Sequence, residues 1–139
     1  MKYKKYSVYE VNKKSIKFDA STTLKTIEIK KGMGWCDDVN FEKKYNKPIK
    51  INKKIGHEKL RRKDHKYNLL IPIKYNFLKP IVGLGSCVFI HLTSNYKPTA
   101  GCIALKKKDF LIMLKLIKKK KKIKIKKKKN KKQKIKKKI

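Results

Sequence analysis

The sequence predicts a mostly β domain with one short helix, followed by a disordered, lysine-rich tail. Three observations support this fold class. Short stretches rich in β-forming residues alternate with turn residues along most of the chain. Residues 109–117 are apolar at most positions, which is typical of a short helix packed behind a sheet. Residues 126–139 contain only Lys, Ile, Asn and Gln, and such a segment cannot bury a core.

Two strands are predicted near the start of the chain. Residues 6–11 are rich in β-forming Tyr and Val. Residues 24–30 alternate in polarity, which predicts a short, half-exposed strand with Ile27 and Ile29 on its inward side. The glycines at positions 32 and 34 break this pattern, so the strand is expected to end before them.

The segment 35–38, Trp-Cys-Asp-Asp, is predicted to be a loop with two open interpretations. In the first, Trp35 walls a substrate groove, and Asp37 or Asp38 meets an amine or a cation. In the second, Trp35 belongs to the core, and the two aspartates form a turn by hydrogen bonding to their own backbone. Residues 46–48, Asn-Lys-Pro, are expected to continue this turn-rich surface.

A short helix is predicted to begin within residues 55–62. Two interpretations of its polar residues stay open. Either His57 faces a functional site and Glu58 orients a partner, or both residues are structural. In the structural alternative, His57 caps or packs, and Glu58 pairs with Arg61 or Arg62 at helical spacing.

Two buried strands are predicted in the second half of the chain. Residues 67–75 contain the apolar run Leu-Leu-Ile-Pro-Ile, and Pro72 inside it implies a sheet edge or a bulge because proline has no N–H for the ladder. Residues 87–92 form another apolar run and are expected to carry His91 at its end. Residues 93–98 are polar and contain Pro and Asn, which predicts a loop.

The candidate chemistry is concentrated at His91 and Cys102, which are eleven residues apart. A thiol attacks as the thiolate, and a nearby imidazole both lowers the pKa of the thiol and accepts its proton. The intervening loop can fold back and bring the two side chains within hydrogen-bond reach. Gly101 lacks a Cβ, which permits a sharp turn that leaves the Cys102 thiol accessible. A chance pairing of one Cys with one His is the alternative.

The residues that flank this pair form a longer pattern. Residues 83–91 are Gly-Leu-Gly-Ser-Cys-Val-Phe-Ile-His, and residues 98–105 are Pro-Thr-Ala-Gly-Cys-Ile-Ala-Leu. This order and spacing resemble the catalytic segment of the L,D-transpeptidase (YkuD-type) family, in its branch with the pattern F-x-H followed by P-T-A-G-C-x-A-L. Upstream segments are also similar to that branch: Gly34–Asp38, Tyr45–Pro48, His57–Leu60 and Tyr75–Asn76.

The resemblance implies a β-sandwich-like catalytic domain over residues 6–125, with one short helix after the Cys, and a lysine-rich tail over residues 126–139. Family members have a further strand-rich portion before the equivalent of Tyr6, so an N-terminally truncated member is expected. The resemblance also implies a bacterial enzyme of peptidoglycan biosynthesis, involved in cell wall biogenesis and cell shape. The expected location is the periplasm or cell envelope, although the sequence contains no visible signal peptide or transmembrane segment.

The resemblance further implies the roles of individual residues. Cys102 would attack the L,D-peptide bond of a peptidoglycan stem and form a thioester, with His91 as general base. Backbone N–H groups around Gly101 would bind the oxyanion, and Thr99 would position His91 or the substrate. A second stem would resolve the thioester as a 3–3 cross-link, or water would give L,D-carboxypeptidase activity. Two residues are assigned to the substrate side: His57 and Trp35.

The charge of the chain is strongly positive. Lys and Arg number 43 against nine acids, and only two of the 43 are Arg, which favours compositional drift over a surface built for bidentate phosphate contacts. The lysine-rich tail is expected to contact polyanions non-specifically, with no specific nucleic acid as a partner. Lysine alternating with isoleucine in residues 120–125 predicts a last edge strand.

The three cysteines have neither C-x-x-C spacing nor a nearby His cluster, so no metal site and no cofactor are expected. A disulfide between Cys36 and Cys87 is one interpretation, and buried packing of Cys87 is the other. Two alternatives to catalysis stay open: a degenerate, non-catalytic wall-binding domain, and a basic nucleic-acid-binding protein.

Overall fold

Eight short strands form two sheets, and one helix covers the larger sheet. The computed structural model describes residues 7–11, 24–95 and 102–117, together with the backbone of residues 124–127 and 135–138. The strands of the two sheets are β1 (Ser7–Glu10), β2 (Lys25–Glu28), β3 (Met33–Cys36), β4 (Pro48–Lys50), β5 (His57–Lys59), β6 (Leu69–Pro72), β7 (Phe89–Leu92) and β8 (Ile103–Leu105). The helix is α1 (Lys107–Leu116). The predicted mostly β class with one short helix is therefore confirmed.

The larger sheet has five strands in the order β2-β1-β6-β7-β8, and the smaller has three in the order β4-β3-β5. β6 pairs antiparallel with β1 and β7, whereas the outer pairs β1/β2 and β7/β8 are parallel. The parallel β7/β8 pair requires the chain to cross over between the two strands. This crossover brings the segment after the predicted loop alongside β7.

The two faces of the larger sheet bury different clusters because side chains alternate along a strand. On one face, Ile90 packs with the helix, whose buried residues Phe110, Met113 and Leu114 have the spacing of one helical face. On the other face, Phe89 packs with residues of the smaller sheet, including Trp35. The smaller sheet therefore covers the face opposite to the helix.

Most of the predicted elements are confirmed with shorter bounds. The predicted strands 6–11, 24–30, 67–75 and 87–92 contain β1, β2, β6 and β7, and the predicted helix 109–117 overlaps α1. Pro72 does not mark a sheet edge, because β6 lies between two strands. It is the last residue of β6, beyond the point where the register with β1 stops at Leu70, so its missing N–H costs no ladder hydrogen bond.

Two local predictions in the first half are wrong. Trp35 and Cys36 belong to β3 and not to a loop, and residues 57–59 form β5 and not a helix. Both strands exist because they pair with each other, with Trp35 opposite Glu58, a contact that local sequence cannot reveal. A Cβ on Gly34 would approach the Glu58 carbonyl oxygen within 3.2 Å, so this glycine permits close pairing and does not end the strand.

The lysine-rich end also differs from the prediction of disorder. β9 (Lys124–Lys127) and β10 (Ile135–Lys138) pair antiparallel, with Ile125 opposite Lys137. The β-branched isoleucines that alternate with lysine favour extended backbone, and the pairing satisfies backbone hydrogen bonds of both strands. The predicted edge strand 120–125 overlaps only the first two residues of β9. Among the residues that the structure describes, none of the helical segments could span a membrane.

Candidate active site

β7 and β8 bring His91 and Cys102 to the same face of the larger sheet. His91 stands opposite Ala104 in the parallel pair, and Cys102 lies two residues before Ala104. Because residues two apart share a face, Cys102 is a diagonal neighbour of His91, at a Cβ spacing of roughly 7 Å. Cys102 packs against the cluster between the two sheets. The two residues that the sequence singled out are therefore neighbours on adjacent segments, and each has a backbone carbonyl oxygen as its hydrogen-bond partner: Leu92 for His91 and Cys87 for Cys102.

Cys102 is the least buried of the three cysteines. Its side chain is half-buried, whereas Cys36 and Cys87 are buried, and all three are free thiols, so the disulfide interpretation is wrong. The Cys102 Sγ donates a hydrogen bond to the Cys87 carbonyl oxygen at 3.2 Å. Burial raises the pKa of Cys102, and the backbone N–H of Phe89 lowers it in part. Burial also raises the pKa of Cys87, to about 12. Both groups are therefore thiols at neutral pH.

His91 is a buried, neutral imidazole in this site. Its side chain is 5% exposed, and its Nδ1 lies 2.8 Å from the Leu92 carbonyl oxygen. Since a carbonyl oxygen only accepts, Nδ1 carries the proton and Nε2 keeps its lone pair. Burial lowers the pKa of His91, while the hydrogen bond to Leu92 and the charge of Glu58 act in the opposite direction. A neutral imidazole with a free lone pair is suited to accept a proton.

Tyr67 links this pair to the smaller sheet. Its ring contacts those of His91 and Phe89 in T-shaped geometry, at centroid distances of 5.5 Å and 5.4 Å. Its hydroxyl donates to Glu58 Oε2 at 2.5 Å, and Arg62 lies over its ring. Burial and this hydrogen bond raise the pKa of Tyr67. Glu58 thus contacts Tyr67, and the predicted helical pairing of Glu58 with Arg61 or Arg62 is wrong.

Trp35 lies in the core, which is the second of its two interpretations. Its side chain is 2% exposed, and its ring contacts Tyr9 and Phe89 in T-shaped geometry. Its indole N–H donates to Asn46 Oδ1 at 2.9 Å. The aromatic face of the site therefore depends on a polar partner for Trp35.

That partner, Asn46, was missed by the sequence analysis, which assigned it to the surface. It is 2% exposed and has a positive φ of 54°. Its Oδ1 also accepts from the Cys87 N–H at 3.3 Å, and its Nδ2 donates to the carbonyl oxygens of Tyr75 and Asn76. The Tyr-Asn-x-Pro pattern of the resemblance was the one signal that pointed to it. Asn46 holds the segment before β7 against β3.

Two further residues that the sequence analysis considered for the site, His57 and Asp38, hydrogen bond to nearby backbone. His57 is half-buried with its Nδ1 2.7 Å from the Ile55 carbonyl oxygen. Asp38 accepts from the Gly56 N–H at 2.8 Å and from the Asn40 N–H at 3.0 Å, which agrees with the turn interpretation. These two bonds, the Gly56 bond foremost, lower the pKa of Asp38.

Three donor atoms next to Cys102 lie close enough to share a cation. The ligand atoms of Asp37, Glu58 and Cys87 are all within 4.8 Å of one another. Glu58 already accepts from Tyr67, and the Cys87 thiol is protonated at neutral pH, which disfavours a thiolate ligand. Within the described part of the chain, these are the residues that could hold a metal. They come from β5 and two loops, and their spacing in the sequence did not predict that they meet.

Thr99 and Gly101 lie outside the described residues, so their predicted roles at the oxyanion and in positioning stay predictions. No family model, curated protein or solved structure is significantly similar to this chain. The resemblance to the L,D-transpeptidase family therefore rests on the residues quoted above.

Proposed function

We propose that the protein is a cysteine acyltransferase of the L,D-transpeptidase type, acting on peptidoglycan stem peptides. Cys102 is the nucleophile and His91 the general base. The observation that carries the proposal is the register of β7 with β8, which puts Cys102, the residue before β8, diagonally next to His91, with Cys102 packed against the cluster that contains Phe89. His91 belongs to β7 and Cys102 immediately precedes β8, so the backbone ladder of this pair fixes the base and limits the movement of the nucleophile.

The protonation states define the first step. Cys102 is a thiol and His91 a neutral imidazole, because burial opposes charge on each of them. As the Cys102 Sγ attacks the substrate carbonyl carbon, its proton moves to His91 Nε2. The carbonyl oxygen becomes an oxyanion, which collapses as the C–N bond breaks. The leaving amine takes the proton from His91, and a thioester remains on Cys102.

Glu58 supports the charged state of His91. Burial keeps the pKa of His91 below its ordinary value and the charges of Lys66 and Arg62 lower it further, while the negative charge of Glu58 acts in the opposite direction. The Tyr67 hydroxyl holds the Glu58 carboxylate in place. The Glu58 carboxylate, bound to the Tyr67 hydroxyl, therefore offsets part of the positive charge that His91 gains during attack. An incoming amine, or water, then attacks the thioester with His91 again accepting its proton. An amine gives a cross-link, and water gives carboxypeptidase activity.

The proposal is tested by intact-protein mass spectrometry after incubation with a carbapenem, a β-lactam whose carbonyl resembles an activated acyl donor. Wild type is expected to gain one covalent adduct and Cys102→Ala none. Cys87→Ala is the matched control, since it removes a neighbouring thiol, and it is expected to keep the adduct. His91→Gln is expected to slow adduct formation by about 100-fold.

Circular dichroism of each variant shows whether it is folded. An adduct that persists in Cys102→Ala, or folded wild type that gains none, would refute the assignment of Cys102. An absence of any adduct together with binding of intact peptidoglycan would favour the non-catalytic alternative.

A further inference from the structure

A cluster of exposed apolar side chains lies on the loop between β6 and β7. Among the described residues seven large hydrophobic side chains are exposed, and four of them fall within residues 75–84. Tyr75, Leu78, Ile81 and Leu84 are each between 53% and 60% exposed. We call residues 75–84 the apolar loop. Apolar side chains concentrated on one surface segment are typical of an interaction surface.

The apolar loop is held in shape by its own hydrogen bonds. The Asn76 amide accepts from the Ile81 N–H at 2.8 Å and donates to the carbonyl oxygens of Ile81 and Gly85 at 3.0 Å and 2.9 Å. The Leu84 N–H donates to the Ile81 carbonyl oxygen. The backbone is therefore fixed with the apolar side chains in solvent, and docking them costs little further conformational entropy.

Exposed lysines lie directly beside this loop. Asn46 donates to the carbonyl oxygens of Tyr75 and Asn76, and the Gly85 N–H donates to the Tyr45 hydroxyl. These bonds join the apolar loop to residues 43–47, in which Lys43, Lys44 and Lys47 are exposed. Lys79 within the loop is also exposed, and Glu42 is the one exposed acid of the adjoining turn. The surface thus combines apolar and basic side chains.

We propose that the apolar loop and its flanking lysines dock the protein on an anionic lipid bilayer. Leu78, Ile81 and Leu84 enter the boundary between head groups and acyl chains, and the lysines meet lipid phosphates. The net charge of +34 attracts the whole chain to such a surface. A nucleic acid would satisfy the lysines but would leave the three aliphatic side chains in water. This inference is independent of the proposed catalysis.

The test is co-sedimentation of the full chain with phosphatidylcholine vesicles, prepared with and without phosphatidylglycerol. The loop variant carries Leu78→Ser, Ile81→Ser and Leu84→Ser, none of which alters a backbone hydrogen bond of the loop. The control variant carries Ile112→Ser and Leu116→Ser, two exposed apolar residues on α1. Both variants keep the net charge and the lysine-rich end.

Wild type and the control variant are expected to bind the vesicles that contain phosphatidylglycerol. The loop variant is expected to bind them at least about tenfold more weakly, because the loss of three partly buried aliphatic side chains weakens binding by more than about tenfold. The difference is expected to persist in high salt, which screens the lysines but not the apolar contribution. Equal binding by wild type and the loop variant would show that lysines alone act and would overturn the proposal. Absence of wild-type binding, or an equal loss in the control variant, would overturn it as well.

Discussion

The two faces of the five-stranded sheet bury side chains of different chemistry. Among the described residues, the face under α1 is mostly aliphatic, with Phe110 as its one aromatic ring. Alternation along β1 also puts the buried Glu10 on this face, opposite Leu69. The face under the smaller sheet contains several aromatic rings, together with His91 and Cys102. Alternation along β7 assigns Ile90 to the first face and His91 to the second. The helix-side face is filled mainly by apolar volume around the single carboxylate of Glu10, whereas the second face buries several polar side chains that need partners.

This difference separates stability from chemistry within the same strands. The backbone ladder joins β7 to β8, and packing of the helix-side face against α1 holds the pair in place. The opposite face uses that fixed frame to hold polar groups at defined positions, with Asn46 as partner of Trp35 and Glu58 as partner of Tyr67. We therefore expect substitutions on the two faces to fail for different physical reasons.

The largest effect is expected on the helix-side face. Phe110→Ala removes a fully buried ring between α1 and the sheet, and it is expected to lower the free energy of unfolding by about 3–5 kcal/mol because a cavity remains. Urea denaturation followed by circular dichroism measures this change. Leu116→Ala on the exposed side of α1 is expected to change it by less than about 0.5 kcal/mol. Similar losses in the two variants would mean that α1 does not anchor this face.

A smaller loss is expected from the polar network on the opposite face. Asn46→Ala leaves the buried Trp35 indole N–H without its acceptor, and is expected to lower the free energy of unfolding by about 2–3 kcal/mol. The control is Asn52→Ala, whose exposed side chain accepts one bond from the Lys54 N–H; it is expected to cost below about 1 kcal/mol. If Asn46→Ala were as stable as Asn52→Ala, the second face would be held by packing alone.

The smallest expected effect is a pH dependence of the free energy of unfolding, which arises from His91 on the second face. The folded pKa of His91 lies below its ordinary value of 6.5 because burial opposes the charged form. Below pH 6.5 the unfolded chain therefore binds a proton that the folded chain rejects, and stability falls as pH falls. The contribution of this one group is at most about 1.4 kcal/mol per pH unit. It vanishes above pH 6.5, where both states are neutral.

Unfolding free energies of wild type and His91→Gln, measured between pH 7.5 and pH 5, would reveal this contribution as a difference in slope. The glutamine variant is expected to have the shallower slope. Ile103→Val, on the helix-side face, is expected to keep the wild-type slope at a lower stability, because it removes no ionisable group. Identical slopes in wild type and His91→Gln would show that His91 does not titrate below its ordinary pKa.

Local pattern predicted much of the fold and the two central residues of the candidate site. Alternating and apolar runs located β1, β2, β6 and β7, and the apolar run after Cys102 located α1, because these signals arise from neighbours along the chain. His91 and Cys102 were found because their residue types carry nucleophilic chemistry. Pairing of β3 with β5 was not predictable in this way, since it joins Trp35 to Glu58 across more than twenty residues of chain.

The sequence by itself determined which residues are apolar, which segments alternate between polar and apolar residues, and which thiol has a histidine nearby in the chain. Only the tertiary structure decided that Asn46 is buried, that Glu58 meets Tyr67, and that His91 and Cys102 share a face of the β7/β8 pair. The physical reason is that a polar group enters the interior only where partners from distant segments satisfy its hydrogen bonds. Those partners are brought together by the fold and cannot be recognised from the neighbours of each residue in the chain.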